Sequence, residues 1–138
     1  MDAHEERIAH LTRAVEDLSD VVARQHGIVT GAQLLIDGFH RDTVSVLLDR
    51  RVLLGVHQGI YRVSTSPESF ESRCVAACLA DPDAVITGVA AARLWGFRHV
   101  FPVNVPEVLV PHGANPMSRG VTLRRTNNLI NEDIVTRP

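Results

Sequence analysis

Apolar side chains recur at spacings of three and four residues along the first part of the chain. This spacing predicts one amphipathic helix over residues 5–26, which Gly27 ends. Its apolar positions are Ile8, Leu11, Val15, Leu18 and Val22. Because the stripe lasts only about two heptads, two interpretations stay open: the helix packs on its own chain, or it pairs with a second copy in a homodimer.

A short second helix is predicted after this first one. Thr30 and Gln33 have the spacing of a capping box, so the helix begins there and continues through residues 34–36. The dipeptide at 37–38 ends it, since Gly38 can adopt a positive φ.

A third helix is predicted from His40 or Arg41 to Arg51. Its buried face consists of Val44, Leu47 and Leu48. The stretch GVHQGIYRV, residues 55–63, then predicts a tight β-hairpin with Gly59 in its turn. Tyr61 alternates with its neighbours on the second strand, so we expect its ring in the core.

These elements occur in the order of a winged helix-turn-helix: helix, short helix, glycine turn, helix and hairpin. In such a unit the last helix enters the DNA major groove, and the hairpin, called the wing, contacts the backbone or the minor groove. The polar residues of the third helix and the wing are therefore the candidate contacts with double-stranded DNA. They are Arg41, Thr43, Ser45, Arg50, Arg51, His57, Gln58 and Arg62.

Charge is distributed unevenly along the chain, whose formal net charge is −2. Residues 1–40 carry three arginines against seven acids, and residues 41–66 carry four arginines against two acids. The remaining residues carry seven of each. The positive excess therefore falls on the predicted third helix and wing.

Two acids weaken the DNA interpretation. A step of about 100° per residue from Val44 places Asp42, Val46 and Asp49 furthest from the buried face. Carboxylates at these positions repel phosphates. A second interpretation therefore stays open, in which the chain is a protein-interaction module. It would bind a toxin or a second copy of itself and would have little affinity for DNA.

Some of the candidate contacts also have ordinary structural explanations. Arg50 and Arg51 complement the dipole at the end of the third helix. His57 and Gln58 are typical polar residues of a turn.

Helical and strand patterns alternate over residues 67–138. A helix is predicted to begin at Ser64 or Ser66, next to Pro67. Its apolar face is Phe70, Cys74, Ala77 and Cys78, which gives both cysteines a place in the core. A short strand within residues 81–88, a helix that Thr87 caps and that runs through Trp95 to Gly96, and strands within residues 105–111 and 120–126 follow. The predicted fold class is α+β, with a winged helix-turn-helix over residues 1–66 and a small, incomplete α/β segment over residues 67–138.

Three stretches resemble the AbiEi-type antitoxin family of type IV toxin–antitoxin systems. They are HGIVTGAQL (26–34), GVHQGIYRV (55–63) and AARLWGF (91–97), and the resemblance covers residues 21–137. It implies a transcriptional regulator that binds its own promoter and neutralises a nucleotidyltransferase-like toxin. Family members continue beyond the last residues present here, so we expect residues 67–138 to be the start of a longer domain.

The sequence also departs from that family. Its third helix carries fewer arginines, and Gln58 stands where the family has an arginine in the wing. These departures predict modest affinity for DNA. Catalytic, nucleotide-binding and metal-binding motifs are absent, so we predict no enzyme activity and no cofactor. A charged beginning without a long apolar run predicts a cytoplasmic protein that enters no membrane.

Overall fold

Six helices and two small sheets form the part of the chain described by the computed structural model, namely residues 2–98, 102–111, 120–129 and 131–137. The helices are α1 (Ala3–Asp17), α2 (Ser19–Arg24), α3 (Gly31–Ile36), α4 (Arg41–Asp49), α5 (Phe70–Ala80) and α6 (Gly88–Leu94). The strands are β1 (Ile28–Thr30), β2 (Leu53–His57), β3 (Ile60–Val63), β4 (Val85–Ile86), β5 (Glu107–Pro111) and β6 (Thr122–Thr126), and a short 3-10 helix covers Asn131–Asp133. The predicted α+β class is confirmed.

The first sheet contains β1, β3 and β2, in that order, with antiparallel pairing throughout. β3 is therefore the central strand, and α3 and α4 lie between β1 and β2 along the chain. This is the order of elements in a winged helix-turn-helix, with β2 and β3 as the wing. The capping box at the start of α3 is confirmed, because Thr30 Oγ1 accepts from the backbone of Gln33 and the Gln33 side chain accepts from the backbone of Thr30.

Helices α1–α4 pack on one face of this sheet, and we call the cluster of buried side chains between them the helical core. Its buried members are Val15, Val22, Val29, Leu34, Val44, Leu47, Leu53 and Val63. Tyr61 packs against the same cluster, as predicted, and so do Leu11 and Leu18. Four of the five apolar positions in the first helical region, Leu11, Val15, Leu18 and Val22, therefore pack on their own chain, while the homodimer stays a prediction.

The prediction of one helix over residues 5–26 is wrong, because the helix is interrupted at Leu18. Leu18 has ψ 24°, and its N–H donates to the carbonyl of Val15 at 3.2 Å, a tighter turn than the α-helix makes. A new helix, α2, then starts at Ser19. Neither glycine nor proline marks this break, so the local sequence contains no signal for it.

Helix α5 begins at Phe70 rather than at Ser64 or Ser66 as predicted. Ser69 is the cap: its hydroxyl accepts from the backbone N–H of Ser72 at 3.0 Å, and Ser72 Oγ accepts from the backbone N–H of Ser69 at 2.9 Å. These reciprocal bonds satisfy donors of the first turn, and they fix the helix start after Pro67.

Small side chains on three sides of α5 allow the helix to pack closely against its neighbours. Ala76 packs against Ile28 and Ile60, on the face of the first sheet that lies opposite the helical core. Ala77 packs against strand β5 of the second sheet, and Cys74 packs against α6. Helix α5 therefore packs against both sheets.

The second sheet contains β4, β5 and β6, with antiparallel pairing of β4 to β5 and parallel pairing of β5 to β6. Its three strands and α6 occur where the sequence predicts them, although α6 ends one residue early, at Leu94. Thr87 precedes the helix as predicted, but among the described residues its side chain makes no capping hydrogen bond. Within the described ranges, no helix combines the length and the apolar character needed to cross a bilayer.

Candidate nucleic-acid interface

The outer side of α4 is exposed. His40 caps the helix, since its Nδ1 accepts from the backbone N–H of Asp42 at 3.2 Å. Val44 and Leu47 are buried on the inner side. Exposed on the outer side are Arg41, Asp42, Ser45 and Asp49. The predicted outward direction of both acids is confirmed, whereas Val46 and Thr43 are half-buried.

The wing is short, and its tip is held against the helix-turn-helix. Gly59 has φ 72° and forms the turn together with Gln58, which is exposed. The backbone N–H of Gly31, the first residue of α3, donates to the carbonyl of Gly59 at 2.8 Å. This hydrogen bond places the wing tip beside the start of α3.

Arg50 and Arg51 terminate α4, and both are exposed. Arg50 Nη2 lies 3.1 Å from His4 Nε2, so the first turn of α1 reaches the end of α4. The sequence offers no signal for this contact, because it joins residues 46 positions apart.

Arg51 adopts a left-handed conformation with φ 57°. It is the residue after the cap in a Schellman motif, in which the N–H of Val52 donates to the carbonyl of Leu47 at 2.9 Å. Gly38 and Gly96 occupy the same position after α3 and α6, with φ 92° and 74°. A side chain in this conformation costs roughly 1 kcal/mol that glycine avoids.

Arg62 is placed differently from the other candidate arginines. It shares a face of β3 with Ile60, which packs on α5, and it is half-buried. Its guanidinium donates to the carbonyl of Ser66, in the turn that follows the wing. Arg62 therefore lies on the sheet face away from the helical core, apart from the outer side of α4.

His57 is half-buried as well. Desolvation by burial lowers its pKa from the ordinary value of 6.5. The imidazole is therefore neutral at pH 7, so His57 adds no positive charge to the wing.

The eight candidates thus form two groups. We call the first the recognition surface: Arg41, Thr43, Ser45, Arg50, Arg51 and Gln58. His57 and Arg62 form the second group and line a cavity behind the wing. Sequence reasoning missed Glu68, Arg73 and Asn104, which line the same cavity, because only the fold brings them to the wing.

The two cysteines occupy the core positions expected of them. Cys74 is buried and Cys78 is half-buried, and no disulfide joins them. Burial, helped by the neighbouring Cys78 and Glu71, raises the pKa of the Cys74 thiol to about 12. A thiol with such a pKa is a poor nucleophile at neutral pH.

No protein-family model matches the chain, and no curated protein matches it either. The AbiEi-type resemblance accordingly stays an expectation based on the three quoted stretches.

Proposed function

We propose that the chain is a DNA-binding transcriptional regulator in which α4 enters the major groove and the wing lies on the adjacent backbone. One observation carries the proposal: the outer side of α4 is exposed next to a hairpin whose tip is hydrogen-bonded to the start of α3. The proposal would have lost its basis if another part of the chain covered the outer side of residues 41–50, or if the hairpin were absent.

Base reading is assigned to the first half of α4, where Arg41 and Ser45 lie one helical turn apart. Arg50 and Arg51 at the end of α4 contact phosphates. Asp42 and Asp49 oppose the phosphate backbone, so the affinity of one copy is modest and depends strongly on salt. A homodimer that joins two half-sites would raise it.

The test is a fluorescence-anisotropy titration of the protein against the DNA upstream of its own gene, at about 50 and 200 mM salt. Binding should weaken steeply with salt. Arg41→Gln should weaken binding by about tenfold and relax sequence preference, whereas Arg50→Gln should weaken all sequences alike.

Arg13→Gln is the matched control, since Arg13 is an exposed arginine on α1 outside the recognition surface. Equal losses in Arg13→Gln and Arg41→Gln, or binding that ignores salt, would contradict the proposal.

A second candidate function is a protein-interaction module. Two observations favour it: Asp42 and Asp49 on the outer side of α4, and two exposed apolar side chains on α3, Leu35 and Ile36, at 46% and 84% exposure. Asp42→Asn with Asp49→Asn discriminates the two functions. A DNA reader gains affinity for DNA, whereas an interaction module loses affinity for its protein partner.

The antitoxin role rests on the family resemblance alone. It entails action in the cytoplasm and a nucleotidyltransferase-like partner. Co-purification of the chain with the product of a neighbouring gene of that class tests the partner, and light scattering of the purified chain tests the homodimer.

A further inference from the structure

A cavity of about 500 Å³ lies behind the wing. Its walls come from distant parts of the chain: β2 and Arg62 of the wing, the beginning of α5, and the segment at Asn104 and Val105. Its volume lies within the range of roughly 300–1,000 Å³ typical of small-molecule sites.

The apolar part of the wall is aliphatic. It consists of Ile28, Leu54, Val56 and Val105. Ile28 is buried beneath α5, and Val56 packs on the same cluster. This part of the cavity suits the hydrocarbon portion of a ligand.

The polar part of the wall carries two guanidinium groups. Arg62 donates to the carbonyl of Ser66. Arg73 donates to Glu68 Oε1 at 2.9 Å and to the carbonyl of Asn104 at 3.0 Å. A guanidinium has five N–H donors, so among the described residues these bonds leave donors on both arginines.

The charge of the wall selects the sign of the ligand. Glu68 is the only acid in the described lining and is paired with Arg73, which leaves one net positive charge. His57 adds none, because burial lowers its pKa. One positive charge and planar N–H forks match a carboxylate better than a phosphate dianion.

We propose that this cavity binds a small organic monocarboxylate, with its carboxylate on Arg62 and Arg73 and its hydrocarbon on the aliphatic wall. Because residues of β2 and β3 line the cavity, occupancy changes the position or mobility of the wing. The binding claim stands apart from the proposed function, whereas the effect on DNA rests on it.

The test compares hexanoate with hexanamide, a neutral molecule of nearly the same shape, by amide chemical-shift titration of the ¹⁵N-labelled full chain without DNA. Hexanoate should bind with a Kd of about 1 mM, as expected for a ligand of its size. Its shifts should concentrate at Leu54, Val56, Arg62 and Ser72. Hexanamide should bind at least about tenfold more weakly.

Variants then assign the arginines. Arg62→Gln and Arg73→Gln should each weaken hexanoate binding by about tenfold, and Arg13→Gln should leave it unchanged. The carboxylate–amide comparison on the unaltered protein needs no variant, so it holds even where a variant unfolds.

Equal binding of both molecules, or no localised shifts up to about 10 mM hexanoate, would overturn the proposal. Repetition of the anisotropy titration with hexanoate present separates the two claims. Hexanoate binding by a chain that ignores DNA would leave the cavity site standing and would remove the proposed function.

Discussion

Arg51 lies just before the wing and Arg62 lies on its second strand, and their surroundings differ. Arg51 is exposed and adopts a left-handed conformation that glycine tolerates better than arginine does. Arg62 is half-buried in regular strand geometry, and its guanidinium is bonded to the carbonyl of Ser66. The hydrogen bond of Arg62 stabilises the fold, whereas glycine in place of Arg51 would make the fold more stable. Strained backbone conformations cluster at functional sites, so under the proposed function we assign Arg51 to phosphate contact, whereas Arg62 contributes to stability and to the proposed carboxylate site.

The largest expected effect tests how closely the turn at Ser66 is packed, since the guanidinium of Arg62 donates to the carbonyl of Ser66. Gly27 has φ 83°, and a Cβ built on it would lie 2.3 Å from Ser66 Cβ. Gly27→Ala should therefore lower the free energy of unfolding by about 3 kcal/mol, from the clash and the positive φ together. Urea denaturation measures this loss.

Gly38→Ala is the matched control, since Gly38 has φ 92° and nothing lies within 4 Å of a built Cβ. It should lose only about 1 kcal/mol. Equal losses at both positions would mean that the Ser66 turn is not closely packed, which would remove the reason given for the placement of Arg62.

Removal of the guanidinium of Arg62 comes next. Arg62→Met keeps the apolar stem and loses the bond to the carbonyl of Ser66, so the free energy of unfolding should fall by about 1–2 kcal/mol. DNA affinity of the folded variant should be unchanged. A variant of full stability with weakened DNA binding would move Arg62 into the recognition surface.

Arg51→Gly should have a smaller effect and the opposite sign. Relief of the strained φ should raise the free energy of unfolding by no more than about 0.5 kcal/mol, after allowance for the entropy of glycine in the unfolded chain. DNA binding should weaken by about fivefold if the proposed phosphate contact of Arg51 exists. Thermal melts and anisotropy titrations on one preparation measure both quantities.

Arg51→Asn separates charge from backbone strain, because asparagine tolerates the left-handed region better than arginine does. It should weaken DNA binding as much as Arg51→Gly. Retention of full DNA affinity in both variants would show that Arg51 is merely an unfavourable helix end.

The smallest expected effect concerns pH. Burial lowers the pKa of His57 below 6.5 in the folded chain. Between that lowered pKa and 6.5 the unfolded chain binds more protons than the folded chain, so stability falls as pH decreases through this window. His57→Gln should flatten the dependence there. An unchanged profile of stability against pH would place His57 in solvent rather than against the cavity.

The sequence predicted the elements that depend on residues close together along the chain. The capping box needs only Thr30 and Gln33, and the wing needs two short apolar runs around Gly59. Both follow from local hydrogen bonding and side-chain alternation. The outward direction of Asp42 and Asp49 followed in the same way from helical periodicity.

Features that depend on distant contacts were not predictable. Alternation places Ile60 and Arg62 on one face of β3, but nothing in residues 55–63 indicates that α5 covers that face. The break at Leu18 likewise has no local signal. Capping of α5 by Ser69 was missed because serine at the third helical position is a weaker indicator than glutamate or glutamine.

The placement of α5 bears on how this protein can be shortened for crystallography or spectroscopy. A version that stops before Phe70 keeps every residue of the recognition surface but strips Ile28 and Ile60 of the cover provided by Ala76. Such a truncation would expose an apolar face of the first sheet to water and would promote self-association. Any minimal fragment should therefore extend through Ala80.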